Sequence, residues 1–219
     1  MIRRPPRSTQ SRSSAASDVY KRQGFMILII ILFPLGLGPI QEKLNIVSNA
    51  VIWVGLILAI MPSLEKLLQK DFENGWLDQI ATSPIPLEIV MLSKGISYWL
   101  IILIPLIITS PIFAILLDMD LKNIPWLVIS ISAGSLAISL IGLSGSALIL
   151  GARRGNILLP ILIIPLMTPI LIFGVGVNEA IKINASPYGN LFLLLALTLV
   201  YLVISPFISA LLVRIAIGR

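Results

Sequence analysis

The stretch ISYWLIILIPLIITSPIFAILL, residues 96–117, decides the fold class, because it contains no Asp, Glu, Lys or Arg. A helix of about 20 apolar residues is long enough to cross the hydrocarbon core of a bilayer, which is about 30 Å thick. Backbone amides in hydrocarbon must form hydrogen bonds within their own segment, so a run of this kind folds as a helix. The stretch therefore predicts a transmembrane helix.

Five further apolar runs without Asp, Glu, Lys or Arg lie on either side of this stretch. They occupy residues 24–40, 46–63, 124–150, 157–177 and 190–212. A transmembrane β-barrel would instead require strands of about 10 residues in which apolar and polar side chains alternate. We therefore predict an all-α integral membrane protein with six transmembrane helices.

The composition excludes several kinds of chemistry. The chain of 219 residues is 57% hydrophobic and 12% charged, and it contains no cysteine and no histidine. It therefore has no thiolate nucleophile, and no imidazole for proton transfer, zinc or haem iron. Proton- and ion-coupled carriers usually place charged residues inside their spans, and these spans have none. The G-x-x-x-x-G-K-[ST] phosphate loop is also absent, so we expect no enzyme activity and an energy source in a partner.

The net charge of +6 is concentrated at the amino terminus. Residues 1–23 hold six basic side chains and one acidic side chain, whereas residues 24–219 are near neutral and give no reason to expect a nucleic-acid partner. We interpret residues 1–23 as a disordered leader that resembles translated sequencing-adapter read-through and is not native. A secretory signal and a mitochondrial presequence are the alternatives. Residues 24–219 then form one permease domain.

Lysine and arginine in the connections predict the orientation of the spans, because cytoplasmic loops carry an excess of these residues. The connections after spans two and four and the carboxyl-terminal tail carry seven: Lys66, Lys70, Lys94, Arg153, Arg154, Arg214 and Arg219. The other connections carry three: Lys43, Lys122 and Lys182. We therefore place both termini in the cytoplasm.

The connection over residues 64–94 is too long for a turn and carries leucines at helical spacing. It predicts an extension of span two, an interruption at Gly75, a short amphipathic helix and a proline-rich return into span three. The apolar residues around Phe72–Ile80 fit a groove of a partner protein and fit the membrane surface equally well.

Two spans carry patterns of their own. Gly142 and Ser146 in span four have the spacing that permits close helix packing, either within the chain or across a homodimer. Prolines in span five, at positions 160, 165 and 169, fit a moving gate or static kinks. Arg153 and Arg154, between these spans, fit a partner or anionic lipid as well as the orientation rule.

Three segments together resemble the haem exporter protein B family (CcmB). They are FPLGLGP in span one, SLEKLLQKDFENGWLDQIATSPIP after span two, and GARRGNILLPILIIPLMTPILIFG at span five. The resemblance covers roughly residues 25–219. The family's loop pattern is met by Glu65, Asp71, Gly75, Leu77, Asp78 and Gln79, and its Arg-Arg-Gly and Leu-Leu-Pro pieces are met by Arg153, Arg154, Gly155, Leu158, Leu159 and Pro160.

The resemblance implies a six-span domain of the ABC-2 exporter type in the bacterial inner membrane, with the mitochondrial inner membrane as the alternative. It implies that a cytoplasmic ATPase subunit (CcmA) contacts the 64–94 segment, which includes Phe72. It also implies membrane partners CcmC and CcmD and a haem-loaded chaperone, CcmE. Haem is then handled by the complex, with no cofactor bound by this chain alone. A non-transporting assembly subunit and a permease for a drug or polysaccharide remain alternatives.

Overall fold

The computed structural model describes residues 23–38, 41–150 and 155–218, and the regular structure within these ranges is entirely helical. The predicted leader, except Gln23, lies outside them, as do Arg153, Arg154 and Arg219. The helices are α1 (Gln23–Leu37), α2 (Gln41–Glu73), α3 (Trp76–Ala81), α4 (Leu87–Tyr98), α5 (Ile104–Leu116), α6 (Ile124–Leu148), α7 (Gly155–Lys182) and α8 (Tyr188–Ile217). A π-helical segment, Trp99–Leu103, joins α4 to α5, and a 3₁₀ turn, Leu121–Asn123, precedes α6.

Five helical stretches of the described chain are long and apolar enough to cross a membrane, which confirms the predicted all-α membrane class, whereas the count of six spans stays a prediction. They are Leu44–Glu73, Leu87–Leu116, Leu121–Leu148, Leu158–Lys182 and Tyr188–Ile217. Each contains most or all of one of the last five predicted spans. At the position of the first predicted span, α1 is a shorter apolar helix.

Span three begins earlier than the sequence predicts. The expected start is Ile96, but the helix begins at Leu87, directly after Pro86. Leu87 and Met91 are buried at 2% and 0% exposure, one turn apart on the same face. Residues 87–94 therefore pack against the bundle as the first turns of the span, and they are not part of the loop.

Helix α6 forms the centre of the bundle and contacts α2, α4, α5, α7 and α8. Its small residues allow this close packing, because they let neighbouring backbones approach. The side chains that surround it belong largely to one apolar cluster, in which Trp53 is the largest fully buried residue. The outer faces of α7 and α8 are apolar as well, with Leu199, Val203 and Phe207 exposed. Such faces suit contact with lipid.

The connections divide between two ends of the bundle as the predicted topology requires. At one end, the 64–94 segment packs against the last turns of α6 and α8. At the other end, Asn45 Nδ2 donates a hydrogen bond of 2.8 Å to the Asp118 carbonyl oxygen, and Lys182 Nζ donates one of 3.1 Å to the Ile46 carbonyl oxygen. The assignment of the first end to the cytoplasm stays a prediction from the charges.

Candidate functional site

As far as Pro86, the 64–94 segment has the organisation that its sequence predicts. Helix α2 continues to Glu73, the backbone turns at Asn74 and Gly75, and the six-residue helix α3 follows. Gly75 has φ 69° and ψ 10°, a left-handed conformation that costs a residue with a Cβ atom about 1–2 kcal/mol. The turn at Gly75 thus sends α3 away from the axis of α2.

The apolar side of α3 packs against the chain's own helices. Leu77 is fully buried in a cluster with residues of α2, α4, α6 and α8. Phe72, Trp76 and Ile80 are partly buried against the same cluster. Little of this face is therefore left for a partner groove or for the membrane surface, the two locations considered from the sequence.

The outer side of α3 is polar. Asp78 and Gln79 are both exposed, and the turn after them exposes Thr82 and Ile85. The Thr82 hydroxyl donates to the Gln79 carbonyl oxygen at 3.0 Å and so helps to end the helix. Any molecule that contacts the tip of this segment meets an acid, an amide and a short apolar edge.

Asp71, by contrast, lies in an internal ion pair. Its Oδ2 atom is 2.6 Å from Lys94 Nζ on α4, and the two side chains are 29% and 23% exposed. The same ammonium lies over the Trp76 ring, 4.4 Å from its centroid. Arg214 of α8 forms a second ion pair, 2.8 Å, with Glu88. The structure thus separates the two acids that the sequence analysis treats alike, since Asp78 is exposed and Asp71 is paired.

Span four supports the last turns of α2. A Cβ atom on Gly142 would lie 2.4 Å from Leu64 Cδ2, so the two helices approach at this glycine. The backbone N–H of Leu68 donates to Ser146 Oγ at 3.2 Å. Both members of the small-residue pair therefore face α2 of the same chain, as the intramolecular alternative predicts. Glu65, on the same part of α2, is half-buried.

Comparison with known proteins agrees with these observations. The family model described as CcmB protein matches residues 10–216. The chain belongs to the CcmB family. Heme exporter protein B of Pseudomonas aeruginosa is 38% identical over 195 residues, which cover 89% of this chain and 87% of that protein. The proteins of the same name from Paracoccus denitrificans and Escherichia coli are 37% and 35% identical, and the alignments cover 87% and 88% of this chain and 88% of each relative.

The prolines of this CcmB chain lie within one uninterrupted helix. Pro160, Pro165 and Pro169 all fall inside α7. Pro165 is exposed on the outer face, and the other two are half-buried. Neither a gate nor a static kink is tested by this arrangement, so their role stays a prediction.

The residues that hold the segment in place are not predicted by any pattern in the sequence. Lys94 and Arg214 counted only as markers of orientation, and Trp76 and Glu88 had no assigned role. Asp71 and Lys94 are 23 positions apart, and no local pattern predicts such a pair. The hydrogen bond between the hydroxyl groups of Ser63 and Tyr98 is equally distant in sequence, because it joins α2 to α4.

Proposed function

We propose that this chain is the membrane component of a haem exporter that serves c-type cytochrome biogenesis in the bacterial inner membrane. The observation that carries the proposal is membership of the CcmB family, whose relatives named heme exporter protein B align over nearly the whole chain. The five long apolar helices supply the membrane-embedded body that such a component needs. The chain provides no imidazole and no thiolate ligand for haem iron, since it lacks His and Cys.

The energy for export comes, in this proposal, from a separate ATPase subunit of the CcmA type, and the chain itself is no enzyme. The 64–94 segment is the proposed contact. It extends beyond the apolar part of α2 and exposes polar residues at its tip, and the apolar side of α3 packs against α2, α4, α6 and α8. A motion of the ATPase against α3 would therefore reach those helices directly. CcmC, CcmD and the chaperone CcmE are the further proposed partners.

Haem transport and conformational coupling are separated by measuring haem flux together with the effect of gene deletion. The complex of this chain and its ATPase is reconstituted in vesicles, and ATP-dependent movement of haem across the membrane is followed. Haem flux supports export by this complex. ATP hydrolysis without flux, combined with loss of c-type cytochromes on gene deletion, indicates an assembly subunit that transmits motion. Normal cytochromes after deletion indicate a permease for another substrate.

Reversal of one exposed charge tests the ATPase contact. Asp78→Arg is expected to lower co-purification of the ATPase about tenfold, because it places the opposite charge in the contact and one such change is worth about 1.4 kcal/mol or more. Asp120→Arg is the matched control, since Asp120 is exposed at the opposite end of the bundle. Equal co-purification with wild type and both variants would contradict the assigned contact. Asp71→Arg is a poorer test, because it also breaks the pair with Lys94.

A further inference from the structure

The ammonium group of Lys94, on α4, contacts the chain both before and after the Gly75 turn. It pairs with Asp71 at the end of α2 and lies over the Trp76 ring at the start of α3. We propose that Lys94 is a positioning residue that holds α3 rigidly against span three, so that force applied to α3 moves that span. The part of this inference that concerns force rests on the proposed ATPase contact, whereas the part that concerns the position of α3 does not.

Helix α3 depends on such contacts because it is short. Isolated helices of fewer than about 12 residues are marginal in water, and α3 has six. Two features fix its position: the burial of Leu77, and the interaction of Trp76 with Lys94. Burial of Leu77 fixes the depth of α3 against the bundle. The ammonium fixes its direction, because one charge is shared between an acid before the Gly75 turn and a ring after it.

The residues that follow Lys94 connect it to the rest of the bundle. The Gly95 carbonyl oxygen accepts a hydrogen bond of 2.7 Å from Ser139 Oγ on α6. Trp99 Nε1 donates one of 2.8 Å to Ser135 Oγ, one turn away on the same helix. Gly95 of α4 and Trp99, the residue directly after α4, therefore bind this half of span three to α6 within five residues of Lys94. A displacement of Lys94 therefore moves α4 as one rigid body.

Span three changes its backbone pattern directly after this unit. Residues Trp99–Leu103 form a π-helical segment, and Pro105 lies in the first turn of α5. Both features weaken the regular hydrogen-bond ladder and are common places for a helix to bend. The geometry thus places a rigid half, α4 with α3 attached through Lys94, next to a point where the span can flex.

The second ion pair of this region provides a matched control. Arg214 and Glu88 join α8 to the first turn of α4, and the Arg214 side chain is 55% exposed. An exposed pair of this kind contributes little to stability, and neither partner contacts α3 through it. Its loss is expected to leave α3 in place.

The experiment uses the full chain in its complex with the ATPase, and compares Lys94→Gln, Lys94→Arg and Glu88→Gln. Lys94→Gln is expected to lower the yield of c-type cytochromes about tenfold, because loss of a partly exposed ion pair and a cation–π contact lowers the population of correctly placed α3 by about that factor. Co-purification of the ATPase should stay within about twofold, because the variant keeps every side chain at the tip of α3, including Asp78, and weakens only the attachment of α3 to span three. Lys94→Arg should restore most of the yield, since arginine retains the charge and stacks on tryptophan. Glu88→Gln should resemble wild type.

A second readout tests the position of α3 without any partner. The chain has no native cysteine, so a spin label on Gln79→Cys reports α3 alone. The label is expected to become more mobile with Lys94→Gln and to stay unchanged with Glu88→Gln. Unchanged mobility with Lys94→Gln would overturn the inference, as would normal cytochrome yield despite increased mobility. Increased mobility in a chain that binds no ATPase would support the positioning role and overturn only the proposed function.

Discussion

At the scale of single residues, the packing of α2 against α6 at Gly142 depends on the absence of a side chain there. Leu64, which faces Gly142, is fully buried, so it has little freedom to move away from an added methyl group. Small residues at such crossings are what brings membrane helices together, because lipid offers no hydrophobic gain between helices. Gly142 therefore supports the α2 turns from which the 64–94 segment extends.

Gly142→Ala is expected to destabilise the protein through this contact. Overpacking of a filled interior costs about 1–3 kcal/mol, whereas alanine in a helix otherwise gains up to about 1 kcal/mol over glycine. Gly189→Ala is the matched control, since a Cβ atom on Gly189 would meet nothing within 4 Å. Thermal unfolding in detergent should give a lower midpoint for Gly142→Ala than for Gly189→Ala. Equal midpoints would show that Leu64 moves away from the added methyl group without loss of stability, which would contradict the prediction.

The same scale shows what a sequence can and cannot reveal. Gly142 and Ser146 were recognised from their spacing, because close packing requires small residues wherever helices cross. Whether they face a neighbouring helix or a second chain depends on the assembled bundle, which the spacing does not contain. Lys94 was visible only as a charge. Its partners Asp71 and Trp76 are separated from it in sequence by most of α3 and the turn that follows, so the contact between them depends on tertiary packing.

At the scale of elements, the junction between α2 and α3 is set by the left-handed backbone at Gly75. The sequence predicts this interruption because glycine readily adopts positive φ and lowers helix stability. The sequence predicts the start of span three too late, at Ile96 and not at Leu87. Residues 87–94 mix charged and apolar side chains and follow two prolines, a composition that is typical of a loop. Only the burial of Leu87 and Met91 shows that these residues belong to the span.

Gly75→Ala is expected to misplace α3, because a Cβ atom at φ 69° costs about 1–2 kcal/mol. Gly75→Asn provides the control, since asparagine tolerates this conformation several times more readily than most residues. Protease accessibility of the 74–86 region in membranes, together with cytochrome yield, measures the outcome. Alanine should raise cleavage and lower yield, and asparagine should remain close to wild type. Identical behaviour of both variants would mean that the turn tolerates any residue.

At the scale of the whole molecule, the apolar spans were predictable because hydrocarbon leaves the backbone few alternatives. The described chain confirms five of them as long helices, in a bundle centred on α6. The division of loops between two ends was predictable from the order of the spans, and the structure brings the last turns of α6 and α8 to the 64–94 segment. The central claim is that an ATPase subunit binds this end of the molecule and transmits its motion to α3.

Cross-linking from the tip of α3 tests that claim most directly. A photoreactive amino acid replaces Gln79 in one variant and Ser186 in another, since both residues are exposed and they lie at opposite ends of the bundle. Illumination of native membranes should join the ATPase subunit to position 79 and leave position 186 without it. A cross-link to the ATPase at position 186, or none at position 79 while the complex is intact, would contradict the account.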